Sequence, residues 1–133
     1  MQYVIAYIVA AIAFGILDSI WLRWAGPNLY RPVIGEMMAD NFRVVPALLF
    51  YVIYLFGMVY FAIRPGLEAG SVVSAMLNGA ILGALCYATF DLTSQAVFKT
   101  WSSYISVMDI AWGAVATGAA CAVATAITLK VTG

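Results

Sequence analysis

The sequence predicts an all-α integral membrane fold: a bundle of four transmembrane helices with a short interfacial segment between helices 1 and 2. Two observations carry this. Hydrophobic residues make up 65% of the chain and charged residues 9%, against the roughly 45–50% and ~25% of soluble domains, and the mean hydropathy is +1.01. The few charges are also spaced to leave four long uncharged runs, each close to the ~20 residues that cross about 30 Å of hydrocarbon. Six basic and six acidic side chains cannot clothe a water-soluble surface. They sum to zero and lie dispersed, so no basic stripe tracks phosphates and no nucleic-acid partner is expected. The chain has no histidine. This excludes Ser-His-Asp and Cys-His nucleophile pairs, His-ligated metals and imidazole proton shuttles.

The whole chain, 1–133, is read as a single transmembrane domain with spans at about 3–24, 44–63, 71–91 and 105–129. Residues 1–22 carry only Asp18 as a charge; without a basic n-region or a small-x-small cleavage site they read as a retained helix, not a signal peptide. The stretch 27–42, PNLYRPVIGEMMADNF, is broken by Pro27, Pro32 and Gly35, while Val33, Met37 and Met38 offer an apolar face for the membrane surface. Residues 64–70, RPGLEAG, read as a Pro-Gly turn between antiparallel helices 2 and 3. Residues 92–103 join helices 3 and 4, and Asp91, Gln95 and Lys99 share a face if helix 3 continues that far. Trp101 and Tyr104 suit an aromatic belt.

Arg23, Arg31, Arg43 and Lys99 flank one face, against Arg64, Lys130 and the amino terminus. The positive-inside rule then places the 1–2 and 3–4 loops in the cytoplasm and both termini outside. Small residues recur at Ala75, Gly79 and Gly83 on helix 3 and at Ala114, Gly118, Ala122 and Ala126 on helix 4. Two such ridges on consecutive helices are expected to face each other, because association in lipid depends on close backbone approach; a homodimer seam is the alternative. Cys86 and Cys121 lie at different depths, too far apart to bridge.

Asp18, Asp91 and Asp109 interrupt or border the spans, and the topology brings all three toward the loop 1–2 and 3–4 face. A charged Asp within a helix costs about 2.5–3.5 kcal/mol on insertion scales, so each should face the bundle interior, water or a partner. Helical spacing groups Tyr7, Ala11, Phe14, Asp18 and Trp21 on helix 1, Ala47, Tyr51, Tyr54 and Met58 on helix 2, and Asp109, Trp112, Gly113 and Ala116 on helix 4. Asp-x-x-Trp thus occurs twice, each placing an indole one turn from a carboxylate. The structural alternatives are an Asp18 pair with Arg23 or a cytoplasmic lysine, Asp109 in the first turn of helix 4, a local hydrogen bond for Asp91, and Asn78 as interhelical glue. No cofactor is expected, and no tight ligand spacing supports a metal on the three Asp residues.

The string Tyr87-Ala-Thr-Phe-Asp91-Leu-Thr93-Ser-Gln-Ala96-Val-Phe-Lys99-Thr-Trp101, with Asp109-Ile-Ala-Trp112-Gly113, Asp18-x-x-Trp21-Leu22, Phe50-Tyr51-x-x-Tyr54-x-x-Gly57 and Pro65, resembles a family of small bacterial inner-membrane proteins catalogued as domain of unknown function 2177. Phe90 and Ser94 stand where the family's Tyr-Asp-Leu-Thr-Asn signature has Tyr and Asn. The resemblance covers nearly the whole chain, implies the four-helix architecture, and adds Tyr87, Thr93 and Lys99 to the candidate pocket of Asp18, Trp21, Tyr51, Tyr54, Asp91, Asp109 and Trp112. Members accompany genes for fatty-acyl modification, such as cyclopropane-type lipid methylation, which implies a membrane lipid as ligand. Three functions follow: a lipid-binding or lipid-modifying protein, a small proton- or cation-coupled transporter acting as an oligomer, and a structural subunit of a larger membrane complex.

Overall fold

The computed structural model describes residues 1–35 and 44–132. The apolar face expected around Met37 and Met38, and Arg43, lie outside the described residues. Four helices are long and apolar enough to cross a membrane: α1 (Gln2–Tyr30), α2 (Val44–Ala69), α3 (Val72–Val97) and α4 (Ser103–Thr132). Helices are what such a sequence must form, since hydrocarbon offers no partner for a backbone N–H or C=O.

Helices α1 and α2 run further than expected, for one shared reason. Pro27 does not break α1; the chain passes through a wide π turn at Gly26–Tyr30, closed by the Arg31 N–H on the Gly26 carbonyl, and continues as Arg31–Ile34. In α2 a second π turn, Val59–Ile63, is closed by the Arg64 N–H on the Val59 carbonyl, and the helix continues as Arg64–Ala69. Each wide turn immediately precedes an Arg-Pro pair. Proline lacks the N–H for the helical ladder, and its ring collides with the carbonyl four residues back; widening the turn relieves the collision. In α2 the Tyr60 carbonyl would need an N–H from Pro65 to continue the wide ladder. Arg64 supplies one, its Nε lying 3.4 Å from that carbonyl while its guanidinium stacks 4.3 Å over the Tyr60 ring. The turn expected over 64–70 therefore shrinks to Gly70, whose φ of 64° is left-handed. Ser71 then caps α3, its Oγ accepting from the Ser74 N–H at 3.1 Å.

Helix α4 is the centre of the bundle: 44% of its spanning window is buried, against 17% for each of the other three. The helix 3 ridge does face it. A Cβ on Gly83 would meet the Gly113 carbonyl oxygen at 2.2 Å, and one on Gly79 would meet Cys121 Sγ at 2.8 Å. The complementary surface on α4 is therefore Gly113, Thr117 and Cys121, beside the expected ridge and not on it; from that ridge Gly118 meets the Met76 carbonyl and Ala80, while Ala126 is exposed. The register differs because a threonine and a cysteine, neither of which reads as a ridge residue, are small enough to line the seam. Asn78 makes no hydrogen bond among the described residues, so the expected polar glue is absent there. Helices α1 and α2 contribute Ala6, Ala10, Phe14, Tyr54, Leu55 and Met58 to the same core.

Candidate functional site

A second, smaller core of Ala25, Leu29 and Ile105, with Trp21, Tyr30, Trp101 and Met108 packed on it, fixes the end of α1 against the start of α4. It sits at the end of the bundle that carries the α1–α2 and α3–α4 connections, and the carboxylates gather around it. Asp109 is 5% exposed and accepts a hydrogen bond from the Tyr30 hydroxyl. That hydroxyl accepts in turn from Trp21 Nε1 at 3.1 Å. Trp21 and Trp112 stack with centroids 5.0 Å apart and planes within 7°. Asp18, half-buried, lies beside Trp112 and Asp109. Asp91 is fully buried, its carboxyl neighbours that of Asp109, and among the described residues neither of its oxygens has a hydrogen-bond partner.

Tyrosines from α2 and α3 form the wall toward the bundle centre. The Tyr87 ring covers Gly113, where a Cβ would come within 2.3 Å of it, and meets Tyr54 edge-on at 6.3 Å. Tyr54 shares a 2.7 Å hydrogen bond with Thr117 Oγ1, and the Tyr51 hydroxyl donates to the Ala11 carbonyl. Phe14 fills the space between these two tyrosines, 6.0 Å from Tyr51 and 5.5 Å from Tyr54. On the loop side, Ser106 Oγ accepts from Trp101 Nε1 at 3.2 Å and donates to Gln95 Oε1 at 2.8 Å, and Gln95 Nε2 donates to Ser103 Oγ at 2.8 Å.

Eight of the ten sequence candidates thus line one connected region: Asp18, Trp21, Tyr51, Tyr54, Tyr87, Asp91, Asp109 and Trp112. Thr93 and Lys99 do not join it. Thr93 is exposed, and Lys99 lies beyond the end of α3, which stops at Val97 with the Phe98 N–H on the Ser94 carbonyl, so the shared face ends at Gln95. Three local contacts expected for the acids are not seen. Among the described residues Asp18 and Arg23 form no ion pair, the first turn of α4 holds no acid, and Asp91 has no local hydrogen bond. No group of three or more Cys, Asp or Glu among the described residues has metal-holding geometry.

The residue that sequence reasoning missed is Tyr30. Nine positions after Trp21 is about 2.5 turns of a regular α-helix, the opposite side; the wide turn at Gly26–Tyr30 under-rotates the chain, and the long side chain brings the Tyr30 hydroxyl to Trp21 Nε1. The signal was Arg31-Pro32, whose meaning as the end of a π turn is visible only alongside its copy at Arg64-Pro65. Trp112 Nε1 is buried beside Asp18 and has no close hydrogen-bond partner among the described residues. A family model described as a predicted membrane protein, DUF2177, matches residues 3–127. No curated protein and no solved structure matches the chain.

Proposed function

We propose, from the premise that the chain belongs to the DUF2177 family of multi-pass membrane proteins, that its carboxylate and aromatic cluster holds a membrane lipid and assists its modification. The membrane in this reading is the inner membrane of a bacterium and the cluster serves the cytoplasmic leaflet, in keeping with the basic residues near that end. The observation that carries the proposal is Asp91: a fully buried carboxyl with both oxygens unmatched, set against a second carboxyl. Burial of this kind is costly and marks functional groups inside membranes. Two carboxyl groups set side by side in a buried site are suited to general acid–base work on a bound ligand. The stacked Trp21 and Trp112 supply a flat apolar wall beside the acids, suited to the glycerol or upper acyl region of a lipid.

One feature favours a second reading. The Tyr30 hydroxyl donates to Asp109 and the Asp91 carboxyl lies beside it, so three groups that can exchange protons adjoin, as in a coupled transporter; against it, the acids gather at one end and not at the midplane where transporter sites lie. The test is mass spectrometry of lipids co-purifying with wild type, Asp18→Asn and Asp109→Asn, with proton flux in proteoliposomes. Retained fold with loss of a specific lipid in both variants supports the lipid reading. Cation-driven proton flux abolished by either variant supports the transporter. Unchanged lipid content and no flux in folded variants refutes both.

A further inference from the structure

The carboxylate pair is closed on the side where water is nearest. On α3, Gln95 lies one turn beyond Asp91 toward the α3–α4 connection; on α4, Ser106 lies one turn before Asp109 toward the same connection. These two bond to each other, Ser106 Oγ to Gln95 Oε1 at 2.8 Å, so a polar rung joins α3 to α4 just outside the Asp91–Asp109 pair. Trp101 lies on that rung, with Nε1 3.2 Å from Ser106 Oγ and its ring edge-on to Phe90 at 5.6 Å. Leu29 and Ile105, both buried, pack together between α1 and α4 at the same end. Behind this layer Asp91 and Asp109 are buried.

Exposure of the acids runs the wrong way for access from that end. Trp21 stacks on Trp112, and α1 and α4 cross in opposite directions. Asp18, three residues before Trp21, therefore lies about 4.5 Å to the bundle side of the stack, and Asp109, three before Trp112, about 4.5 Å to its loop side, at 1.5 Å per residue. The deeper acid is nevertheless the one left half-exposed. Tyr51 of α2 packs on α1 at Ala11 and Gly15, and Asp18 follows Gly15 by one turn. At this level the bundle-facing line of α2, residues 44, 48, 51, 55 and 58 by helical spacing, loses its cover. Met58 and Leu55 are buried and Tyr51 half-buried, whereas Leu48 and Val44 are 57% and 54% exposed. Helix α2 thus parts from the bundle beside Asp18, and the surface it leaves uncovered is apolar.

We propose that the carboxylate site is shut at its aqueous end and open to the membrane beside Asp18, between α1 and α2, so that its ligand is a lipid entering sideways with an acyl chain against Leu48 and Val44. An apolar opening at hydrocarbon depth admits chains and not water. The unmatched Asp91 carboxyl then meets only what the leaflet delivers. This rests on the lipid reading above and deepens it, naming the route and excluding a water-soluble ligand.

The experiment treats the full chain in nanodiscs with two carbodiimides, one water-soluble and carrying an ammonium group, the other dicyclohexylcarbodiimide, and maps modified carboxyls by peptide mass spectrometry. Glu68, exposed at the opposite end of the bundle, reports that the water-soluble reagent is active. That reagent should modify Glu68 and none of Asp18, Asp91 and Asp109 in the wild type. Gln95→Ala and Ser106→Ala should each raise its reaction at Asp91 about tenfold, the change expected when a hydrogen bond holding a closed state is lost. Dicyclohexylcarbodiimide should modify Asp18 in the wild type, and Leu48→Trp, which adds bulk at an exposed position, should abolish that reaction. Wild-type modification of any of the three acids by the water-soluble reagent at the rate of Glu68, or no rise in either rung variant, overturns the seal. Asp18 modification unchanged by Leu48→Trp overturns the route. Neither result depends on which lipid co-purifies, so a site that water reaches but that still loses its lipid in Asp18→Asn refutes this proposal and leaves the lipid reading standing.

Discussion

Gly83→Ala tests the packing on which the whole site depends. The added Cβ would lie 2.2 Å from the Gly113 carbonyl oxygen, 2.8 Å from its carbonyl carbon and 2.8 Å from Thr117 Oγ1. Ordinary van der Waals contact starts at 3.4 Å, so α3 and α4 must part by about 1 Å at the point where dispersion holds them, with no hydrophobic transfer to compensate in lipid. Two of the three neighbours are backbone atoms that cannot rotate away. The upper part of the ~1–3 kcal/mol range for overpacking therefore applies, offset by the roughly 1 kcal/mol that alanine gains over glycine inside a helix. The expected net loss is about 2 kcal/mol. Gly57→Ala is the matched control, since nothing lies within 4 Å of its Cβ; it should gain up to ~1 kcal/mol. Reversible unfolding in mixed micelles of rising dodecyl sulfate content, followed by tryptophan fluorescence, reads both. If Gly83→Ala unfolds at the same dodecyl sulfate fraction as Gly57→Ala, the α3–α4 contact does not hold the bundle and the reasoning is wrong.

Three further outcomes follow from the same geometry. Tyr54→Phe and Thr117→Val should each destabilise, and their double-mutant cycle should show a coupling near the ~0.6 kcal/mol average for hydrogen bonds between membrane helices; strict additivity would mean the 2.7 Å contact contributes nothing. Tyr30→Phe should loosen the end of α1, read as faster amide exchange over 26–30 and altered emission from the Trp21–Trp112 stack, whereas unchanged exchange would show that Asp109 does not anchor that turn. Cysteines at Asn28 and Ser102, in a chain lacking Cys86 and Cys121, should resist an impermeant external reagent if the loop 1–2 and 3–4 face is cytoplasmic. Labelling of both sites reverses the orientation.

Legibility from sequence divides along physical lines. The spans were readable because hydrocarbon imposes one length and one secondary structure on any apolar run. Asp18, Asp91 and Asp109 were readable as a group because a four-pass topology returns alternate helix ends to one face. The complement of Gly79 and Gly83 was not: Gly113, Thr117 and Cys121 share a face one position round from the expected ridge, and a ridge count registers glycine and alanine but passes over a threonine whose hydroxyl is already engaged by Tyr54. Tyr30 was unreadable for a different reason. Periodicity assumes 3.6 residues per turn, and where a wider turn precedes a proline, every position beyond it is rotated from where that count puts it. Lys99 was misplaced by the opposite error, a helix carried past its end.

The central position of α4 has a consequence for how the protein is made. The ribosome delivers α1, α2 and α3 first, and each reaches the membrane with a surface whose partner does not yet exist: Tyr30 awaits Asp109, Tyr54 awaits Thr117, and the groove at Gly79 and Gly83 awaits the Gly113–Cys121 face. Asp91 arrives in lipid before the carboxyl it will lie against. A nascent chain halted before α4 is therefore not three-quarters of a bundle but three helices with their polar and close-packing surfaces turned toward lipid, the kind of intermediate that membrane chaperones shield and membrane proteases remove. Arrival of the fourth helix closes all of these surfaces at once, so assembly should be nearly all-or-none and timed to the last segment synthesised.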